Sequence, residues 1–181
     1  MATRVVLTYK DYEALPADRR RYELHEGEIS VTPAPSPRHQ QVVGNLYLAT
    51  RVHVETNRMG QVLLSPIDCI LSDTTVVQPD IVYLEPRRLS AISSRGIEGA
   101  PTLAIEVLSP GTALIDRAVK LQLYARHGVP YYWIVDPDAR TIETHVLAGG
   151  GYQLAARLEG GEPAALAPFP DLVLDPAALW P

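Results

Sequence analysis

The 181-residue chain has one cysteine, Cys69, two lysines and one phenylalanine. A lone cysteine permits no intrachain disulfide and no cysteine-based zinc site. Aromatic residues are 7% of the total, and most Tyr and Trp fall in apparent strands, so nothing suggests an aromatic-lined sugar cleft. No long apolar run is present, which removes any expectation of a membrane span. The opening MATRVVLTYKDYE reads as neither signal peptide nor anchor. A cytoplasmic location is the expectation. Repeats, low-complexity tracts and long linkers are also missing, and the length suits one domain over residues 1–181. Positive charge is short as well. The formal net charge is -5, which argues mildly against sequence-independent binding to nucleic acid. Local patches can override that balance, and arginines cluster at Arg19, Arg20 and Arg21 and at Arg87 and Arg88.

What is present is an ordinary globular pattern, 46% hydrophobic and 20% charged, long enough to bury a sizeable core. Thr8 with Asp11 predicts a short capped helix that Pro16 ends. Arg21 to His25 and Glu28 to Thr32 read as strands joined around Glu26-Gly27. Ser36 and Pro37 open a helix running to about Arg58, with Val42, Val43, Leu46, Ala49, Val52 and Val54 near helical spacing. Gln61 to Leu64, Ile67 to Leu71 and Asp80 to Leu84 follow as strands, with a turn at Ser72-Asp73-Thr74 between the last two. Pro86 to Ile92 suggests a short helix and Ser93 to Gly99 a loop. Thr102 to Leu108 is apolar on both faces apart from Glu106, the mark of a strand in mid-sheet. The helix Thr112 to His127 and the strand Tyr131 to Val135 complete a crossover between parallel neighbours. Thr141 to Leu147 and Tyr152 to Leu158 form a hairpin, and the proline-bearing tail reads as irregular chain. The class is α/β with a mixed sheet flanked by helices.

Three residues stand out. Glu106 interrupts an apolar strand, and a buried ionised carboxylate is unfavourable by several kcal/mol or more, as an order of magnitude, unless paired or bound to metal. Asp80 follows Pro79 and opens the apolar run Ile81, Val82, Tyr83. Two carboxylates entering one sheet from neighbouring strands make an oxygen-rich site suited to Mg²⁺ or Mn²⁺. Lys120 is scarce by type, since fourteen of the sixteen basic residues are Arg. Asp116, Lys120 and Tyr124 recur every four residues and share a helix face. Plainer readings exist: Asp80 closing a turn, Glu106 paired with an arginine, Lys120 paired with Asp116 on a solvated face. The three together favour the metal.

The segments YELHEGEI, PSPRHQ, VVQPDIVYL, IEVLSP and DRAVKLQLYARHGVPYYWIVDP resemble the Uma2-type restriction endonuclease family of the PD-(D/E)XK superfamily, in order over about residues 8 to 150. The resemblance implies a restriction-endonuclease-like mixed sheet, a divalent metal and phosphodiester hydrolysis of nucleic acid, DNA above all. Asp80 matches the family's Asp and Glu106 its second acidic residue. The superfamily's usual lysine position, two residues after the acid, is Leu108 here. Lys120 on the following helix matches the shifted lysine. The expected arrangement has Asp80, Glu106 and the Val107 carbonyl holding Mg²⁺ (or Mn²⁺), with Asp116 positioning Lys120. Glu23 and His39 fall within matched segments and are candidates to support the site; the plainer readings are Glu23 exposed and paired with Arg21, and His39 in the first turn of its helix. A homodimer is expected by analogy. Crowded carboxylates repel without metal, so deleting Asp80 or Glu106 is expected to raise stability. Two rivals remain: a non-catalytic binding module on the same fold, and a glycosidase using two acids about 5 to 9.5 Å apart.

Overall fold

Thr8 caps the first helix, α1 (Tyr9–Glu13), by donating from both its backbone N–H and its hydroxyl to Asp11 Oδ2 at 2.8 Å, as the spacing predicts. The computed structural model describes residues 5–18 and 20–181. The first four residues of the opening segment and Arg19 of the arginine cluster lie outside them. β1 (Arg21–His25) and β2 (Glu28–Thr32) pair antiparallel around Glu26 and Gly27, both at positive φ. α2 (Pro37–Thr56) starts where expected, with the Ser36 side chain accepting from the His39 N–H at 3.2 Å. Gly60 then turns the chain at φ +124°, where a Cβ would collide with the Leu84 carbonyl oxygen.

β3 (Gln61–Leu64), β4 (Cys69–Ser72), β5 (Thr75–Val77) and β6 (Ile81–Leu84) follow. The turn after Ser72 leads to β5 rather than to the strand at Asp80. All three β5 residues are buried, so no alternation marks them as a strand. Pro86–Ala91 is a short 3₁₀ helix, as a helix was expected there. The expected loop after it instead contains β7 (Ile92–Ser93) and β8 (Gly96–Glu98), each too short to carry a sequence pattern. β9 (Leu103–Val107) leads to a helix that winds as π over Ile115–Lys120 and as α3 over Leu121–Arg126. β10 (Tyr131–Asp136), β11 (Thr141–Ala148) and β12 (Gly151–Glu159) come next. The tail is not irregular: β13 (Ala164–Leu166) and β14 (Phe169–Leu174) pair, and α4 (Pro176–Leu179) closes the chain. Its prolines misled because they suit these elements. Pro176 opens α4 behind the Asp175 cap.

Two six-stranded sheets result, β2-β1-β5-β4-β8-β7 and β12-β11-β10-β9-β6-β3. In the second, β9 lies between β6 and β10, antiparallel to β6 and parallel to β10, so the predicted crossover and the mid-sheet position of Glu106 are both observed. The class is α/β with mixed sheets flanked by helices. Successive β9 side chains alternate between faces. Leu103, Ile105 and Val107 pack with α2 and with Phe169, Leu174 and Leu179 of the tail. Ala104 and Leu108 pack on the other side with Tyr124, Tyr132, Cys69, Val77 and Ile97, and Glu106 shares that side. No helix among the described residues is long and apolar enough to cross a membrane.

Phe169 is fully buried and its ring centroid lies 4.9 Å from that of Tyr83 and 6.1 Å from that of Trp133. Phe169→Ala is therefore expected to destabilise the protein by about 3–5 kcal/mol, measured by urea denaturation. A change within error would mean that the tail does not contribute to the core.

Candidate functional site

Ile81 of β6 pairs with Ile105 of β9, so Asp80, just before β6, comes opposite Glu106. A second link fixes Asp80 in place: the Val107 N–H donates to its Oδ2 at 2.9 Å. Arg21, at the start of β1, donates from a guanidinium NH to Asp80 Oδ1 at 3.2 Å. His39, one turn into α2, places its Nε2 2.8 Å from the Val107 carbonyl oxygen and 3.3 Å from Asp80 Oδ2. A nitrogen so close to two acceptors must carry its proton to be stabilised. Burial works against a charged His39, but Asp80 and the Val107 carbonyl outweigh it and hold the imidazole above its ordinary pKa.

The helix after β9 supplies the other half. Lys120 Nζ lies 2.9 Å from Glu106 Oε1, 3.0 Å from Glu23 Oε1 and 3.5 Å from Asp116 Oδ1. Tyr124 OH donates to the same Glu106 Oε1 at 2.7 Å. Asp116, Lys120 and Tyr124 thus do share one side of the helix, but that side is buried rather than solvated. The π-helical turn carries both Asp116 and Lys120, and such turns are common at functional sites. Glu23 also accepts from the Gln78 backbone N–H at 2.7 Å. The four central groups are nearly closed to solvent, Asp80 and Lys120 at 4% exposure and Glu106 and Asp116 at 2%.

The charges set the protonation states. Burial opposes the Lys120 ammonium, yet Glu106, Glu23 and Asp116 keep it charged well above its ordinary value; it is a hydrogen-bond donor here and not a base. Burial also opposes the Glu23 carboxylate, but Lys120 and the neighbouring His25 and Arg21 hold it below the usual range. Asp80 is likewise lowered against burial, by His39 and Arg21. Glu106 goes the other way. Its burial is complete, and Asp116, Asp80 and Glu23 add repulsion that Lys120 does not offset, so its carboxyl is pushed up. Asp116 is raised by burial as well.

Arg21, His39, Asp80, Glu106, Val107, Asp116 and Lys120 line one small pocket with a volume of ≈ 20 Å³, room for one water-sized body. Among the described residues, no group of three or more His, Cys, Asp or Glu converges in metal-binding geometry, because cationic side chains stand between the acids. The donor set nevertheless fits a small hard cation. His39 Nε2 touches both Asp80 Oδ2 and the Val107 carbonyl, so these two oxygens already converge on one point. Four carboxylates face only two permanent cations, Lys120 and Arg21. Asp116 Oδ1 is buried with no hydrogen-bond partner. A buried set of carboxylate and carbonyl oxygens suits Mg²⁺ or Mn²⁺.

All the residues singled out by the sequence meet here: Asp80, Glu106, Val107, Lys120, Asp116, Glu23 and His39. Two were missed as site residues. Arg21 was seen only as one of an arginine run, and nothing in its strand marked it as facing Asp80. Tyr124 was placed on the face of Lys120, which was the available signal. The expected stability gain on deleting the acids is corrected. Each carboxylate is held by partners, and removing Asp80 would take the carboxylate partner from Arg21 and His39 while removing Glu106 would take one from Lys120 and Tyr124, a destabilising change.

The sequence profile of the family described as "Uma2: Putative restriction endonuclease" matches residues 9–177, and the chain belongs to that family. A solved structure described as a putative nuclease belonging to DUF820, from Anabaena variabilis ATCC 29413, superposes with a TM-score of 0.78 at 24% identity, covering 96% of this chain and 97% of that one. At that identity the likeness establishes the fold. No curated protein matches the chain.

Because the folded state favours a protonated Glu106, that group's contribution to stability is full at acidic pH and declines as pH rises through its raised pKa. In metal-free buffer, that contribution is expected to be lost between weakly acidic pH and about pH 8 and to level off above it, and Glu106→Gln, which is always neutral, should remove that part of the fall. Urea midpoints across pH measure it; identical pH profiles for the two proteins would show that Glu106 titrates normally.

Proposed function

We propose that this chain is a metal-dependent endonuclease, a single nuclease-like domain over residues 1–181 that hydrolyses phosphodiester bonds in nucleic acid, with DNA as the substrate. The observation that carries the reading is the Lys120 ammonium hydrogen-bonded to Glu106 in a pocket that Asp80 and the Val107 carbonyl also line. Family membership supports it, as does the description of the Anabaena structure as a "putative nuclease".

Asp80, Glu106 and the Val107 carbonyl would hold Mg²⁺ or Mn²⁺, which when bound lowers the pKa of a coordinated water and polarises the phosphate. Lys120 is a fixed donor for the negative charge that develops on phosphate oxygens. Glu23 and Asp116 orient the ammonium, and Tyr124 orients Glu106. His39 and Arg21 hold Asp80 at the register its partner strand sets. A homodimer, by analogy with the superfamily, and a cytoplasmic setting complete the proposal. The rival, a non-catalytic binding module, is favoured by one observation: the acids are occupied by cationic side chains rather than open.

Calorimetric titration with Mg²⁺ and Mn²⁺, followed by incubation with plasmid and single-stranded DNA, tests both readings. Wild type should bind metal and nick DNA, and Glu106→Gln should lose both. Lys120→Met should keep most of the metal binding and lose about 10²–10³-fold in rate. Metal binding without cleavage of any nucleic acid would favour the rival, and no metal binding at all would make Asp80 and Glu106 structural.

A further inference from the structure

Beside the small metal-facing pocket, sharing Arg21, Thr32, Pro33, Pro35 and Asp80 with it, lies a cleft of ≈ 430 Å³. That volume falls in the range of about 300–1,000 Å³ typical of small-ligand sites. Resting on the nuclease reading, we propose that this cleft holds the base and sugar of one unpaired nucleotide while its phosphate reaches Asp80 and Glu106, so that the substrate is a single strand or an unpaired end rather than intact duplex.

Three observations converge on this. The first is depth. Asp80, Glu106 and Lys120 are almost wholly buried, so a phosphate must enter a recess to meet them. A stacked, base-paired strand holds its phosphates on a rigid outer surface, whereas an unpaired nucleotide can turn in.

The second is the chemistry of the wall. Pro33, Pro35 and Pro66 offer flat apolar surfaces for the face of a base, and Gln40, Ser65 and Gln78 offer hydrogen-bonding groups for its edge.

The third is charge. Among the described residues that line the cleft, Arg20 and Arg21 are the cationic ones, and the chain carries a net -5. A protein that grips a duplex neutralises a run of phosphates with many cations. Two arginines fit a footprint of one or two phosphates, with the rest of the recognition falling on the nucleoside.

The test offers labelled single strands of DNA and of RNA, a blunt duplex of the same sequence, and that duplex with an unpaired tail. Cleavage is followed on wild type with Mn²⁺, and binding by anisotropy on Glu106→Gln. Unpaired substrates should be favoured over blunt duplex by about tenfold or more, the scale of one base contact, and the DNA and RNA strands show which sugar the cleft takes. Ala34→Trp, at an exposed wall position, should erase that preference by filling the cleft while Mn²⁺ binding by calorimetry stays unchanged. Equal handling of blunt duplex, or an unaltered preference in Ala34→Trp, overturns the cleft assignment and leaves the nuclease reading intact. Selective, Trp-sensitive binding with no cleavage of any substrate does the reverse.

Discussion

The Lys120 ammonium sits where three chain segments meet, in contact with Glu106 from a central strand of one sheet, Glu23 from the other sheet and Asp116 from its own helix. The three carboxylates lie 2.9, 3.0 and 3.5 Å from its Nζ, and water reaches almost none of them. Burying such charges is unfavourable by several kcal/mol per ion, as an order of magnitude, unless the partners are well placed, so the surrounding fold has to keep the distances fixed. A mid-sheet strand, a parallel crossover and a buried helix face provide that rigidity. Purely as a device for stability the cluster is a poor choice, because apolar side chains of similar volume would serve as well. Its retention in the interior is physically sensible if the excess carboxylate charge is completed by something that binds.

The two halves of the site answer to different parts of the structure. Asp80 is set by strand register: the β6–β9 pairing brings it opposite Glu106, and the Val107 N–H ties it across the gap. A slip of one residue would turn Glu106 into the core that α2 covers. Lys120 and Asp116 depend instead on how the helix leaves β9 and on its π-helical turn. Arg117 reinforces that placement from the outer face by reaching Asp136 at 3.3 Å and Glu143 at 2.8 Å on the neighbouring hairpin. Between the halves, protonation is unevenly shared: Glu23 and Asp80 stay ionised while Glu106 is pushed toward its neutral form. A cation that displaces this proton would bind more tightly as pH rises.

Much of this was readable from residue order. Glu106 in an apolar strand and Asp80 after a proline announced themselves because a buried carboxylate needs a reason, and the rarity of lysine drew attention to Lys120. Strong patterns gave the long α2 helix with its Ser36 cap, the β9–β10 crossover and the β11–β12 hairpin. What stayed hidden had specific causes. β5, β7 and β8 have two or three residues each, too few for alternation to register. The tail's prolines read as irregular chain although they open a helix and bound a hairpin. Arg21 was invisible as an Asp80 partner because their contact spans 59 positions of sequence and joins two different sheets, a relation that only tertiary packing creates. The π-helical turn likewise has no sequence mark distinct from the α pattern around it.

The central claim is that Asp80, Glu106 and the Val107 carbonyl form one cation site with Lys120 beside it. Crystals soaked in Mn²⁺ and measured for anomalous scattering address it directly. The account predicts a peak in the pocket within bonding distance of oxygens from all three residues, with Lys120 still in contact with Glu23 or Asp116. A pocket without a peak at saturating Mn²⁺, with His39 still bridging Asp80 and Val107, would contradict it.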